Sequence, residues 1–231
     1  TKRVSEDIKN NYVRFCHNGD LVYYSFYDDA NNYTISDFIF EENEFDGQKQ
    51  IFEIVSERSQ TYSITISEFT FNSNQGTALF LTQPEKTTSY ELSDCKFSNN
   101  LNNNQGGSVV EMEQLKKISF TNCKFTGNTA PSGVITIRCE GTCEFDASCT
   151  FTNNHGTTCH CICSNELTTT NTRLIISSTF VDNQNSDPQD TSARPCIYSK
   201  VPTLLEDPCK IQNTFTNIPT GGILIDSDVS F

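Results

Sequence analysis

Short runs in which apolar and polar residues alternate recur along the whole chain, each ended by a polar corner. In Asn122-Cys123-Lys124-Phe125-Thr126-Gly127-Asn128 the alternation puts Cys123 and Phe125 on one face of a strand and Lys124 and Thr126 on the other. The same pattern pairs Phe38 with Phe40, Phe69 with Phe71, Cys95 with Phe97 and Cys149 with Phe151 as inward residues. The anchor phenylalanines are Phe15, Phe40, Phe71, Phe97, Phe125, Phe151, Phe180 and Phe215. Three places after the first seven stand Asn18, Asn43, Asn74, Asn100, Asn128, Asn154 and Asn183; after Phe215 stands Ile218. Successive anchors are 25, 31, 26, 28, 26, 29 and 35 residues apart. One inward aromatic and one turn residue per unit of this length predict a solenoid.

Further strands complete most units, giving two or three short strands in each. One follows a glycine, at Gly76, Gly106, Gly133, Gly156 and Gly221, and Leu79/Leu81, Cys159/Cys161 and Ile223/Ile225 fall eight and ten residues after their anchors. Those matched offsets predict a second inward column. The other strand precedes the anchor, as at Ile64, Ile118 and Leu174. Short strands turning the same way in every unit predict an all-β fold, a right-handed parallel β-helix of about eight rungs. The repeat domain runs over 15–231. Residues 1–14 read as a cap or an extra strand: Ser5 can cap a helix carrying Ile8, Tyr12 and Phe15 on one face, whereas Phe15/Asn18 favours another rung. Phe71, Phe97, Phe125 and Phe151 are expected to stack in the core. Asn100, Asn128 and Asn154 are expected to line one buried corner, taking a left-handed backbone and bonding to neighbouring peptide groups.

Composition adjusts this picture without changing it. Of 231 residues 35% are hydrophobic, which suits a thin core under a large surface. A net charge of −13 excludes the basic stripe a nucleic-acid binder needs and disfavours anionic membranes. No apolar run approaches the ~20 residues of a spanning helix. With Thr1 first and no apolar leader, the chain reads as a mature or excised fragment. The sequon Asn32-Tyr33-Thr34 and the surface-like composition point to an extracellular or cell-surface setting.

The repeated F-x-x-N element with a glycine-led apolar strand resembles the polymorphic outer-membrane proteins of chlamydiae and the similarly named surface proteins of trichomonads and other protists. The companion glycine element is nearest matched by Gly106-Gly107-Ser108-Val109 and Gly221-Gly222-Ile223-Leu224. The resemblance spans about Phe15 to Ile225 and implies a right-handed parallel β-helix displayed at a surface, usually for adhesion.

Candidate chemistry is sparse. Cys159-His160-Cys161-Ile162-Cys163, near His155, has the ligand types of a soft-metal site, but strand alternation splits the thiols from His160. With Cys159 and Cys161 in the register of Leu79 and Leu81, buried thiols are the expected reading. Cys95, Cys123 and Cys149 form an inward column of reduced thiols, and a bridge is most expected among Cys139, Cys143 and Cys163. Three before each anchor stand Asp37, Glu68, Asp94, Asn122 and Ser148. Glu68 and Asp94, one rung apart, approach the ~5 Å of a retaining glycosidase pair, but no histidine or arginine accompanies them. The acidic run Glu41-Glu42-Asn43-Glu44-Phe45-Asp46 lacks the spaced loop of a calcium site. No catalytic, cofactor or metal residues are therefore expected. The function expected is non-catalytic, structural or adhesive, with a surface protein or glycan, or neighbouring copies, as partners. The alternative is a carbohydrate-active β-helix enzyme of the lyase or hydrolase type.

Overall fold

The computed structural model describes residues 5–8, 11–14, 22–26, 32–44, 50–56, 63–82, 89–138, 141–164, 173–185, 195–199, 203–205, 210–212 and 223–225. Among these the secondary structure is short strands, with no helix. All but two of the strands form three sheets of eight in which every pairing is parallel, and His155–Gly156 pairs separately with Gln184–Asn185. The chain visits the first sheet, then the second, then the third, and returns one inter-strand step along, which makes a β-solenoid. The segments Ser5–Ile8 and Asn11–Arg14 are strands that pair with Asn32–Ser36 and Phe38–Glu41, so they extend the first two sheets.

Period-2 alternation fills the interior. In the second sheet Phe40, Phe71, Phe97, Phe125, Phe151 and Phe180 are in register and fully buried. Their rings stack with centroids 4.7, 5.0, 4.9, 4.6 and 4.7 Å apart and planes within 9°. The strand spacing of a sheet, roughly 4.8 Å, is itself a good stacking distance, so hydrogen-bond register and ring packing impose the same repeat. The neighbouring inward positions compensate in size. Where Phe38 and Phe69 precede the anchor, the first sheet contributes Ile35 and Ile66; where Cys123 and Cys149 precede it, the first sheet contributes Phe120 and Phe145. Those two rings stack at 4.4 Å and meet Phe125 and Phe151 edge-on. Swapping the aromatic between adjacent sheets keeps the cross-section filled at close-packed density.

The ends of the aromatic column depart from the motif. Val13 is in register with Phe40, and Ile211 with Phe180. Phe15, Asn18, Phe215 and Ile218 lie outside the described residues, and the column positions expected for Phe15 and Phe215 belong to Val13 and Ile211. Hydrogen-bond register, not motif spacing, sets the alignment. It makes the end intervals 27 and 31 residues, inside the 26–31 of the interior units, where the motif required 25 and 35.

A left-handed corner follows the second sheet in six units, and four of these have another between the first and second sheets. Asp37, Glu68, Asp94 and Asn122 turn between the first and second sheets with φ of 51–60°. Glu42, Ser73, Asn99, Gly127, Asn153 and Asp182 turn after the second sheet with φ of 53–65°. The left-handed residue is thus the one before each motif asparagine, not the asparagine as the sequence reading expected. The corner swings the chain so that the asparagine points inward. Asn43, Asn74, Asn100, Asn128, Asn154 and Asn183 are all buried. Each side-chain amide donates to the next oxygen in the series, at 2.8, 3.0, 3.0, 3.0 and 2.9 Å. From Asn74 onward it also donates to the anchor carbonyl of the preceding rung, as Asn128 does to Phe97 at 2.8 Å. Each receiving oxygen also takes the main-chain N–H of the preceding asparagine. The ladder satisfies peptide groups that the corner removes from the sheets.

Candidate functional site

The third sheet carries a polar groove of about 340 Å³ on its outer face, at the low end of the roughly 300–1,000 Å³ of small-molecule sites. Its floor is outward-facing side chains of adjacent strands. Phe80, on Thr77–Thr82, is in register with Glu111 on Val110–Glu113; Glu113 is in register with Arg138 on Ile135–Arg138. Because Glu111 and Glu113 are two apart in a strand, both face the groove.

One wall is the loop from Asn102 to Ser108. Asn102 is buried and holds the loop together: its amide donates to the Ser108 carbonyl at 2.8 Å and the Thr77 hydroxyl at 3.1 Å, and its oxygen accepts the Asn104 N–H at 3.0 Å. Gly107 lies so close that a Cβ there would sit 2.6 Å from the Asn102 Oδ1, which is why a side chain is excluded. Gly106 supplies the positive φ of 78° that brings the loop back to the sheet.

The carboxylates are held from within. Glu111 Oε1 accepts the Thr77 hydroxyl at 3.2 Å and the Ser108 N–H at 3.1 Å. Glu113 Oε1 accepts from the Arg138 guanidinium in a half-exposed ion pair. Burial pushes the Glu111 carboxyl above the usual carboxylate range, against the opposing pull of Ser108, Thr77 and the Arg138 charge. The groove therefore presents one aromatic face, amides and hydroxyls, a partly buried carboxyl and an ion pair, an arrangement that can hydrogen-bond a hydroxyl-rich ligand over an apolar ring.

Of the groove residues the sequence marks only Gly106 and Gly107, and those for their place in the repeat rather than for chemistry. The lining residues are brought together by register across rungs, and the one local signal was Glu111-Met112-Glu113 in a strand led by Gly106-Gly107. The residues that were singled out for chemistry lie elsewhere. Glu68 and Asp94 are exposed corner residues with Asp37, on an edge rather than in a cleft. The hydrogen bond and charge of Asp37, then slight burial and Asp94, push the Glu68 carboxyl up. Asp94 accepts the Asn122 amide at 2.5 Å, and the Asn122 N–H donates to the Ser148 hydroxyl at 2.6 Å. In the acidic run, Asn43 is committed to the ladder and Glu42 to the corner, while Phe45 and Asp46 lie outside the described residues.

The cysteine-rich segment is displaced from its expected register. The third-sheet column runs Leu79, Val110, Ile135, Ile162, Ile197, and its companion runs Leu81, Met112, Ile137, Ser164, Ser199. Cys159 and Cys161 precede that strand and do not occupy the positions of Leu79 and Leu81, because the loop before it is three residues longer than in the Phe71 unit. Cys159, His160, Cys161 and Cys163 are all buried. Among the described residues no three of His, Cys, Asp and Glu converge as metal ligands. No disulfide joins Cys143 and Cys163, the two described members of the expected trio, and Cys139 lies outside the described residues.

Cys95, Cys123 and Cys149 are buried free thiols that donate to main-chain carbonyls, Cys149 to Phe120 at 3.3 Å for example. Cys149 lowers the Cys123 thiol, but Cys95 and burial outweigh it and push it up; hydrogen bonding to Cys123 and burial push Cys149 up further. All three are expected to resist iodoacetamide in the native protein and to react on unfolding, because alkylation needs an accessible thiolate. Rapid native labelling of all three, read by mass spectrometry, would contradict the packing described.

Comparison with protein-family models, curated proteins and solved structures returns no match. Among the described residues no helix is long and apolar enough to cross a membrane. The class established by the fold is a parallel β-solenoid with a polar groove on one outer face.

Proposed function

We propose that this chain is a non-catalytic extracellular or cell-surface β-solenoid with a structural or adhesive role, and that the Phe80–Glu111–Arg138 groove is its contact site for a surface glycan or protein. The coil is read as right-handed with about eight rungs; eight strands in each sheet and the strong right-handed preference of parallel crossovers support this. The F-x-x-N repeat supports a likeness to the adhesive surface proteins named above. The observation that carries the functional reading is the internal pairing of both groove carboxylates, Glu111 with Thr77 and Ser108 and Glu113 with Arg138. Such a lining is built to hold a ligand in place, whereas acid–base catalysis needs a carboxyl within reach of the proton it moves.

One observation favours a carbohydrate-active enzyme instead. Glu111, its carboxyl lifted by burial, stands two residues from Glu113 in the same groove, and two carboxyls so placed can supply an acid and a base. A panel of neutral and acidic glycans separates the two. Saturable binding without product is expected, weakened about tenfold or more in Phe80→Ala, as for an anchoring aromatic. Product formation that vanishes in Glu111→Gln would establish the enzyme, and absence of any binding across glycans and surface proteins would remove the groove from both readings.

A further inference from the structure

Two thiols in the third wall of the coil meet sulfur to sulfur. The Sγ atoms of Cys161 and Cys196 are 3.4 Å apart and both residues are fully buried. Cys161 and Cys196 immediately precede Ile162 and Ile197, which are in register in adjacent parallel strands. The main chains are locked together there: the N–H groups of Cys161 and Ile162 both donate to the Cys196 carbonyl, at 3.0 and 3.2 Å. Adjacent in-register strands hold their Cα atoms roughly 4.8 Å apart, inside the roughly 4.4–6.8 Å a disulfide spans. The remaining adjustment is a shortening of roughly 1.4 Å between the sulfur atoms, within reach of side-chain rotation. In the Cys95, Cys123 and Cys149 column the thiols also donate to main-chain carbonyls, Cys95 to Ile66 and Ser93, Cys123 to Leu92 and Thr121, Cys149 to Phe120.

We propose that Cys161 and Cys196 are a disulfide-forming pair that covalently ties two successive rungs when the protein folds in the presence of a small-molecule disulfide. The step balances with oxidised glutathione as the oxidant. One cysteine thiolate attacks a glutathione sulfur, forming a mixed disulfide and expelling one glutathione thiolate. The second cysteine thiolate attacks the protein sulfur of that mixed disulfide and expels the other. One sulfur–sulfur bond forms in the protein and one breaks in the oxidant. Two electrons pass to glutathione, and the two protons from the cysteines end on the two glutathione thiols. Burial of both thiols places this reaction during folding, before the wall closes over them. The resulting bond joins residues 35 apart in sequence. A solenoid held rung by rung by nearest-neighbour contacts gains from any link between rungs. This inference is independent of what the groove binds.

The 231-residue chain refolded in a glutathione redox buffer, alkylated, and digested without reductant gives the test. A peptide containing Cys161 linked to one containing Cys196 is expected, two hydrogens lighter than the sum of the reduced pair. It should be lost in Cys161→Ser and in Cys196→Ser and kept in Cys159→Ser. Oxidised protein is expected to melt roughly 5–15 °C above the reduced form, the size expected for closing a loop of this length in a chain of this size. Full alkylation of both thiols after oxidative refolding, or linkage of either to a different cysteine, overturns the assignment. A bridge that leaves the melting temperature unchanged overturns the claim that it braces the coil.

Discussion

Truncating Phe125 to alanine is expected to lower the stability of the solenoid by about 3–5 kcal/mol, the range for deleting a buried aromatic. Its ring lies between Phe97 and Phe151, with centroids at 4.9 and 4.6 Å, and Phe120 meets it edge-on at 6.2 Å. Those neighbours are held by hydrogen-bonded strands at fixed spacing, so they cannot slide together to fill the gap. The cavity remains, and it costs more than the lost transfer energy alone. Position in the coil matters as well. Phe180 has a stacked ring on one side, Phe151, and is in register with Ile211 on the other. Phe180→Ala is therefore expected to cost less than Phe125→Ala. Urea denaturation of both variants measures this, and a Phe125→Ala midpoint equal to wild type would refute the stacked column.

The aromatic and asparagine columns were legible in the sequence because each needs one side-chain chemistry. An inward ring at strand spacing has to stack on another ring, and a buried corner needs a side chain that both donates and accepts, so Phe40 to Phe180 and Asn43 to Asn183 recur as letters. The left-handed corner before each asparagine was not legible. It needs only a residue that tolerates positive φ and faces water, and the chain meets that need with Glu42, Ser73, Asn99, Gly127, Asn153 and Asp182. Phe15 and Phe215 show the opposite error. They carry the letter, but register gives their places to Val13 and Ile211, because a motif match carries no information on which hydrogen bonds form.

The third sheet resisted reading for a related reason. From Phe71 to Leu79 is eight residues, but from Phe97 to Val110 is thirteen, from Phe125 to Ile135 ten and from Phe151 to Ile162 eleven. Loop lengths on the outside of a coil are under weak thermodynamic constraint, so a fixed offset fails there. The groove is assembled from this variable side. Phe80, Glu111 and Arg138 come from three successive rungs, and the loop that walls it is the lengthened connection after Phe97. A site built from register and loop length leaves no periodic trace.

Replacing Asn128 by leucine is expected to cost about 2–5 kcal/mol, because it removes bonds from two main-chain groups at once. The Asn128 side-chain amide donates to the Phe97 carbonyl at 2.8 Å and to Asn154 Oδ1 at 3.0 Å. Its oxygen accepts both the N–H and the side-chain amide of Asn100 at 3.0 Å. Asn154 Oδ1 keeps the Asn128 N–H, and the Asn100 amide keeps the Phe71 carbonyl. The Phe97 carbonyl and the Asn100 N–H lose these bonds in a buried corner, at about 1–3 kcal/mol for each group left unsatisfied. Asn128→Asp gives a sharper test. Aspartate keeps the accepting oxygen for Asn100, but its second oxygen faces two acceptors, the Phe97 carbonyl and Asn154 Oδ1. Burial and these acceptors disfavour the carboxylate, so its folded pKa is expected to rise above the unfolded value of about 3.9. Below that value the acid is protonated in both states and can donate one bond. As pH rises from the unfolded to the folded pKa, the ionised form accumulates in the unfolded chain first and the deficit grows. The stability gap between Asn128→Asp and wild type is therefore expected to be small near about pH 3 and larger at neutral pH. An equal gap at both would mean that residue 128 meets solvent, and the ladder would have to be abandoned.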